Sequence, residues 1–459
     1  MNLTNLTPEQ KQIIAISQTM QSGEILAIQA CAGSGKTSTL REIALANPNA
    51  KFLYLAFNKA IVRESKTKFP QNVEVRTIHS IAFAFAKEKL GDFRPVSKLN
   101  CFDLDEIIEF EDKKDAFGVL KLFDSFLKSD KTLQDSLKDK AIIEFLYEST
   151  LKRKLPITHN FYLKFYQLSK DKNLDYDFIL LDEAQDSNAT MIRVFLDNDC
   201  KKILVGDSFQ NIYGFNESIN AFDIISANHY ATLSKSFRCN QQILDYANLL
   251  LEQFSTKTFS KMTSGFIESN QKHESKAFIT RTNAGIIKLI HTLENPQDFC
   301  LLKEPNKIFA PIWAILHFKN AKFEFIPREY AHLKQIKNSK EFYAYIMNSN
   351  NIELQNAFKL LDYDMDLVEL NKKANKLFRN KNAKNFILNA HQAKGLEWDS
   401  VEICEDFPSL LALQKMAKDS PESSEILEQE LHLFYVAITR AKKELMDNSP
   451  NRSFYKREI

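Results

Sequence analysis

Residues 30–37 carry the most specific chemical pattern in the chain, Ala-Cys-Ala-Gly-Ser-Gly-Lys-Thr. They follow the apolar run 25–28, so we predict a buried strand, a glycine-rich turn and a helix starting at Thr37. In such a turn backbone N–H groups close around phosphates, Lys36 reaches the β/γ oxygens, and the Thr37 hydroxyl ligates Mg²⁺. The helix N-terminus adds partial positive charge. Ala30 stands where the usual pattern has its first glycine. The sequence predicts an ATP site with Mg²⁺, formed by Ala30, Cys31, Ala32, Gly33, Ser34, Gly35, Lys36 and Thr37.

An acidic run, Asp182-Glu183-Ala184-Gln185-Asp186, follows directly after the apolar run Phe178–Leu181. A carboxylate at the end of such a strand can hold Mg²⁺ through water, and its neighbour can polarise the attacking water. We therefore assign Asp182, with Thr37, to the metal and Glu183 to the general base. The alternative is a solvated acidic turn.

These groups need a framework that brings strand ends together. Short apolar runs separated by helical stretches predict a parallel sheet with helices on both faces, and ligand loops then lie beyond the carboxyl ends of the strands. A second alternating region begins near Thr232, with a helix around Gln242 to Phe254. The predicted strands are 25–30, 52–56, 73–77, 178–181 and 203–206 in the first region, and 277–280, 386–389 and 401–404 in the second.

Two stretches have a different character. Dense charge and apolar residues at helical spacing predict a helical insertion at 91–170, and a second, mainly helical insertion is predicted at 292–382. The fold class is therefore α/β, with two parallel-sheet domains that each carry an insertion. The first domain is expected at 1–90 and 171–228, and the second at 229–291 and 383–459.

Composition excludes several classes. The 459 residues are 44% hydrophobic and 26% charged, as in ordinary globular proteins, and no apolar stretch approaches a membrane span. Six scattered cysteines without a Cys-x-x-Cys pair argue against zinc, an iron–sulfur cluster or a disulfide framework, and fit a reducing compartment. The net charge of +2 means that a nucleic-acid partner would need a local basic groove. We expect a cytoplasmic protein, nucleoid-associated if bacterial.

Further motifs follow in a fixed order: Leu6-Thr7-Pro8-Glu9-Gln10, Ala56-Phe57-Asn58-Lys59-Ala60, Thr77-Ile78-His79-Ser80, residues 206–213 (Gly-Asp-Ser-Phe-Gln-Asn-Ile-Tyr), Ser236-Phe237-Arg238, residues 391–398 (His-Gln-Ala-Lys-Gly-Leu-Glu-Trp) and residues 435–441 (Tyr-Val-Ala-Ile-Thr-Arg-Ala). In order and spacing the chain resembles the superfamily 1 DNA helicases of the UvrD/Rep type, and most closely the helicase core of the F-box DNA helicases. Because the first motif begins at residue 6, we expect no F-box and no ubiquitin-ligase role. The resemblance implies two RecA-like P-loop domains.

The resemblance also implies roles around ATP. Gln10 contacts the adenine edge, Phe237 stacks on the base and Glu397 bonds the ribose, while Gln210 senses the γ-phosphate. Arg238 and Arg440 approach that phosphate from the second domain. The physics suits this assignment, because charge spread over phosphoryl oxygens is well matched by planar guanidinium groups. The alternative for either arginine is an ordinary surface charge.

A third set falls at or beside positions that line the single-strand channel in the family. Aromatic rings there could stack on bases without reading their sequence, and cations and amides could contact phosphates. For Phe215 and Trp398 the alternative is core packing. The residues are Phe57, Asn58, Lys59, Arg76, Thr77, His79, Tyr213, Phe215, His391, Lys394 and Trp398.

Three features depart from the family pattern. Asn216 replaces an arginine, Asn389 replaces a threonine that usually opens its motif, and both insertions are short. The first two would weaken the grip on the strand, and the short insertions put duplex unwinding in doubt.

The resemblance implies an ATP-dependent 3′→5′ translocase or helicase on single-stranded DNA, acting in DNA repair or recombination control. Recombination or repair proteins would be further partners of a chain that is a monomer in isolation. Two alternatives stay open: an ATP-gated DNA-binding switch or recruitment module with little unwinding, and an RNA-directed superfamily 1 helicase.

Overall fold

The computed structural model of the chain describes residues 6–56, 58–100, 103–104, 107–109, 113–135, 139–169, 174–212, 219–267, 275–336, 338–348, 351–418 and 420–455. The chain divides into two compact units, Met1–Ser234 and Lys235–Ile459. Each unit is described below by itself.

The first unit is built on a parallel sheet with strand order β3-β2-β4-β5-β1-β6. Its central strands are apolar on both faces, and all four residues of β2 and of β4 are buried. Since every pair is parallel, the loops after β1, β4 and β5 emerge at one edge. The strands are β1 Ile25–Ala30, β2 Phe52–Leu55, β3 Val73–Arg76, β4 Phe178–Leu181, β5 Lys201–Gly206 and β6 His229–Leu233.

Helices cover both faces of this sheet and bury two apolar clusters. One cluster includes Ile13, Leu40 and Phe52, and the other includes Leu53, Phe161 and Phe195. The helices are α1 Pro8–Thr19, α2 Lys36–Ala46, α3 Lys59–Ser65, α4 Ile78–Leu90, α5 Lys113–Lys128, α6 Lys140–Leu151, α7 His159–Leu168, α8 Ala189–Leu196 and α9 Ala221–Ile224.

Two predictions for this unit need comment. The domain boundary expected after residue 228 stays a prediction; in the structure His229–Leu233 pairs with β1, and the compact unit ends at Ser234. This strand alternates half-buried and exposed residues, so no apolar run in the sequence indicates it. The stretch 91–170 is helical where it is described, and its α5–α7 share one apolar cluster with β2, β4 and α4.

The second unit has a parallel sheet with strand order β10-β11-β9-β12-β13 and a separate short parallel pair, β7 with β8. Its strands are β7 Lys235–Ser236, β8 Thr263–Ser264, β9 Lys276–Thr280, β10 Phe299–Leu301, β11 Asn385–Asn389, β12 Trp398–Ile403 and β13 Ala441–Asp447. Its helices are α10 Gln241–Phe254, α11 Asn283–Thr292, α12 Pro305–Lys319, α13 Ser339–Asn348, α14 Ile352–Leu360, α15 Leu367–Arg379, α16 Ala390–Ala393, α17 Leu410–Ala417, α18 Pro421–Ile438 and α19 Arg452–Tyr455.

The predicted α/β class with parallel sheets is confirmed. The stretch 292–382 is not helical throughout, because β10 lies inside it and pairs with β11 as an edge strand of the sheet. A strand of three residues gives too short a pattern to be recognised in a sequence. Among the described residues, no helix is both long enough and apolar enough to cross a bilayer.

Candidate nucleotide site and nucleic-acid contacts

The glycine-rich turn joins β1 to α2, which begins at Lys36, one residue before the predicted start. Gly33 has φ 72° and Gly35 has φ 80°, a left-handed conformation that other residues adopt only with strain. The Cys31 N–H donates to the Leu233 carbonyl at 2.9 Å and ties the turn to β6. Ser34 is 2% exposed, and its hydroxyl has no hydrogen-bond partner in the described part of the chain. A buried hydroxyl of this kind in a turn of left-handed glycines suits a phosphate ligand.

Lys36 lies against the acidic run that follows β4. Its Nζ is 2.8 Å from Glu183 Oε2, and both side chains are largely buried. Burial by itself would lower the pKa of Lys36, but the charges of Glu183, Asp182 and Asp207 outweigh it and raise that pKa. The ammonium is therefore held in its charged form where the β/γ phosphates of ATP would need it.

Asp182 is the other carboxylate at this edge. Its Oδ2 accepts a hydrogen bond from the Tyr54 hydroxyl and lies 3.4 Å from Thr37 Oγ1, while its Oδ1 accepts from the Glu183 N–H at 2.9 Å. Burial, followed by the charge of Glu183, raises the pKa of Asp182. The two oxygen donors predicted for Mg²⁺ thus adjoin, as suits a hard cation that also takes phosphate and water ligands. Asp182 and Thr37 would hold that ion, which neutralises phosphate charge when bound.

Glu183 is held in place by a residue that the sequence analysis did not assign. Gln185 donates to Glu183 Oε2 at 2.6 Å and accepts from the Asp207 N–H at 3.1 Å. Asp207 in turn accepts from Gln210 Nε2 at 2.7 Å. A Cβ at Gly206 would lie 2.3 Å from Gln185 Oε1, so this contact needs the glycine. The Gln185 amide thus joins Glu183, the candidate base, to the segment that carries Gln210, the candidate γ-phosphate sensor.

The backbone at Glu183 is itself unusual. It adopts φ 51° and ψ 45°, the left-handed region that costs a residue with a side chain free energy. Such outliers are concentrated at functional sites, where neighbouring contacts maintain them. The predicted base role for Glu183 agrees with that pattern.

Gln10 is 5% exposed, and both its side-chain oxygen and its side-chain nitrogen form hydrogen bonds. It forms a capping box with Thr7 at the start of α1 and donates through Nε2 to Thr39 Oγ1 at 3.0 Å. Thr39 lies on α2, directly behind the phosphate turn. Contact of Gln10 with adenine stays a prediction, and its position next to the turn is what the structure adds.

In the second unit, the predicted ATP contacts are bonded to one another. Arg238 Nε donates to Glu397 Oε2 at 2.8 Å, and Lys442 Nζ lies 2.8 Å from Glu397 Oε1. Burial would raise the pKa of Glu397, but hydrogen bonds and charge from Lys442 and Arg238 lower it. Phe237 is 40% exposed and rests beside Gly265, so its ring is accessible for stacking.

Arg440 differs from Arg238 in its surroundings, being 1% exposed. Its guanidinium donates to the Val436 carbonyl at 2.9 Å, the Leu396 carbonyl at 3.3 Å and Thr439 Oγ1 at 3.2 Å. These contacts lie within its own unit and are of a structural kind.

Three of the predicted DNA contacts, Phe57, Tyr213 and Phe215, lie outside the described residues, as does Asn216. Of the others in the first unit, Asn58 caps α3 with its side-chain oxygen and Thr77 caps α4, so both have local structural roles. Lys59 is exposed, and Arg76 donates to the Ser80 carbonyl at 3.2 Å.

His79 lies at the start of α4 within a cluster of rings. Its ring centre is 5.7 Å from that of Tyr162 and 6.3 Å from that of His159, both on α7. Burial, and then the charge of His159, lowers the pKa of His79 to about 4, and its Nδ1 has no partner within the described part of the chain. His79 is therefore neutral at pH 7 and only partly accessible.

In the second unit His391 and Lys394 are partly exposed around α16. Trp398 is 5% exposed and its ring centre lies 6.2 Å from that of Phe386, an environment that favours core packing, the alternative left open for it. Stacking of Trp398 on a base stays a prediction. Asn389 forms a capping box with Gln392 at the start of α16 and so supplies the cap that a threonine would.

Comparisons with known proteins agree with this site. Residues 12–216 match an AAA domain, and residues 306–447 match the UvrD-like helicase C-terminal domain. F-box DNA helicase 1 of Gallus gallus is 27% identical over 96% of this chain, and F-box DNA helicase protein 1 of Schizosaccharomyces pombe is 27% identical over 99% of it. The chain thus carries a UvrD-like helicase C-terminal domain and is homologous to F-box DNA helicases over nearly its whole length, which is consistent with a superfamily 1 helicase.

The matched helicase domains imply that the two parallel sheets are RecA-like and that the glycine-rich turn is a P-loop. A probable DNA helicase of Mycoplasma pneumoniae is also similar, at 26% identity over 58% of this chain. The chain spans 49% of the length of the Gallus gallus relative and 58% of the Schizosaccharomyces pombe one, so the activities of those whole proteins do not pass to this chain directly.

Proposed function

We propose that the chain is an ATP-dependent motor that moves along single-stranded DNA, in the 3′→5′ direction, and serves DNA repair or recombination control. The observation that carries the proposal is the ion pair of Lys36 with Glu183 beside Asp182, at the edge of a parallel sheet where the P-loop emerges. A phosphate-binding cation, a metal-binding carboxylate and a base are all present there.

Each residue has a role in the proposal. Lys36 neutralises charge on the β/γ phosphates, while Thr37 and Asp182 hold Mg²⁺. Glu183 accepts the proton of the attacking water, and Gln185 keeps its carboxylate oriented. Arg238 and Arg440 stabilise charge on the transferred phosphoryl group, where a guanidinium contributes about 10³–10⁵ in rate.

DNA as the substrate rests on the matched helicase domains and on the names of the relatives, which are DNA helicases. Exposed Lys59 and the partly exposed Arg76, His391 and Lys394 supply cations and polar groups for a strand. No base-reading residue is assigned, so binding should be nearly independent of sequence and weaken with salt, with a slope of about −0.7 per phosphate neutralised.

The decisive experiment compares the ATPase rate with and without single-stranded DNA, beside strand displacement on duplexes with a 3′ or a 5′ tail. We expect stimulation by DNA, little by RNA, and displacement from the 3′-tailed duplex alone. Lys36→Ala should abolish hydrolysis, since no described cation nearby replaces the ammonium. An ATPase indifferent to DNA would contradict the motor, and normal turnover in Lys36→Ala would contradict the ATP site.

A second candidate, an ATP-gated DNA-binding switch with little unwinding, is favoured by Arg440. Its guanidinium is buried and donates to carbonyls of its own unit, an environment typical of a structural arginine. The switch predicts ATP-dependent DNA binding with slow turnover and no strand displacement, which the same assays detect.

A further inference from the structure

Tyr54 is a buried residue that no motif assigns, yet it contacts the candidate metal ligand. It lies on β2, is fully buried and donates its hydroxyl to Asp182 Oδ2. We propose that Tyr54 is a positioning residue: its hydroxyl orients the Asp182 carboxylate for Mg²⁺. The proposal rests on the metal role given to Asp182 above.

Register explains how the contact arises. Tyr54 pairs with Leu180 on β4, two residues before Asp182. Two residues span about 6.6 Å along a strand, which a tyrosine side chain lying along the sheet can cover. The ring is fixed 4.6 Å from that of Phe69, so the hydroxyl reaches past the end of β4 from a rigid support.

The Tyr54 hydroxyl contacts the carboxylate oxygen of Asp182 that lies next to Thr37. Asp182 Oδ2 is the atom 3.4 Å from Thr37 Oγ1, whereas Oδ1 is held by the Glu183 N–H. With both oxygens restrained, the carboxylate cannot rotate, and the remaining lone pairs of Oδ2 keep one direction. Partners that orient a ligand in this way commonly change metal affinity about 10- to 100-fold when they are removed.

The test uses Tyr54→Phe, which keeps the ring and removes only the hydroxyl. We would measure the affinity of Mn²⁺ for the chain saturated with ADP by electron paramagnetic resonance, and ADP affinity in EDTA. Mn²⁺ affinity should fall about 10- to 100-fold in the variant, with ADP affinity in EDTA unchanged. In an Asp182→Asn background the Tyr54 change should have no further effect, because there is no carboxylate left to orient.

Tyr246→Phe is the matched control. Tyr246 is also buried and donates to a carboxylate, Asp447 Oδ2, at 2.7 Å, but it lies in the second unit. The Tyr246→Phe variant should lose as much thermal stability as the Tyr54→Phe variant, while its Mn²⁺ affinity stays at the wild-type value.

Three outcomes would overturn the proposal: wild-type Mn²⁺ affinity in Tyr54→Phe, an equal loss in Tyr246→Phe, or no effect of Asp182→Asn. The readout needs neither hydrolysis nor DNA. Failure of DNA to stimulate the ATPase would therefore reject the motor and leave this result standing.

Discussion

Arg440→Ala separates a catalytic arginine from a structural one. The substitution removes the hydrogen bonds that the guanidinium donates to the Val436 and Leu396 carbonyls and to Thr439 Oγ1. A hydrogen bond from a charged group contributes about 1.5–3 kcal/mol, so the loss of these bonds should lower the free energy of unfolding by about 2–5 kcal/mol. For a unit of this size the melting temperature would drop by about 10 °C.

A finger role predicts a second and larger effect. At a temperature where the variant stays folded, kcat should fall by about 10³ or more, because a guanidinium acts on charge that develops in the transition state. Nucleotide affinity should change little. Steady-state ATPase gives kcat, and binding of a fluorescent ATP analogue gives affinity. Arg440→Lys keeps the charge but not the planar fork, and its kcat should stay low.

Arg281→Ala provides the control for destabilisation. Arg281 is another largely buried arginine of the second unit and donates to Glu430 through three contacts of 2.6–3.1 Å. Its loss should lower the melting temperature comparably and leave the basal kcat, without DNA, unchanged. If Arg440→Ala shows the same kcat as Arg281→Ala, Arg440 is structural and the reasoning is refuted.

Three further predictions concern single residues. Glu183→Gln should still bind ATP but lose hydrolysis, because an amide cannot accept the proton of water; loss of ATP binding in a nucleotide-affinity assay would instead make Glu183 a metal ligand or a structural residue. The pKa of His79 is 6.5 in the unfolded chain and about 4 in the folded chain, so the folded protein favours the neutral imidazole. The free energy of unfolding that this preference contributes is present at pH 7 and is lost as pH falls from 6.5 to 4, by up to about 3 kcal/mol. Urea unfolding at pH 7 and 5 should therefore show a smaller pH dependence in His79→Asn than in the wild type, and equal dependences would contradict the burial of a neutral imidazole. Trp398→Ala should lower the free energy of unfolding by about 3–5 kcal/mol; DNA affinity per folded molecule, from anisotropy titration, should not change, and a weakened affinity would support the stacking role.

The sequence located the candidate chemistry of the first unit well, because motif and element coincide there. Residues 31–37 follow β1, whose first four residues are apolar, and Asp182 and Glu183 follow another apolar strand. In a parallel sheet the carboxyl ends of the strands lie at one edge, so the sequence predicts that Lys36 and Glu183 lie at the same edge of the sheet. The helix start was wrong by one residue, and the strands that were missed, such as β6 and β13, carry polar residues at alternating or irregular positions.

What the sequence could not predict is which partner each polar side chain takes. Gln185 and Tyr54 acquire their contacts from residues 22 and 128 positions away, and no local pattern encodes such pairs. The same limit explains the second unit, where motif positions and side-chain environments diverge. Arg440 and Trp398 occupy motif positions, yet the backbone turn at 439–441 and the start of β12 bring their side chains into the core. A motif fixes where a residue lies along the chain; burial depends on neighbours that are distant in sequence.

Arg238 is an intermediate case, because its bond to Glu397 joins two predicted ATP contacts that are 159 residues apart. A ribose or a phosphate must therefore compete with this ion pair for either residue.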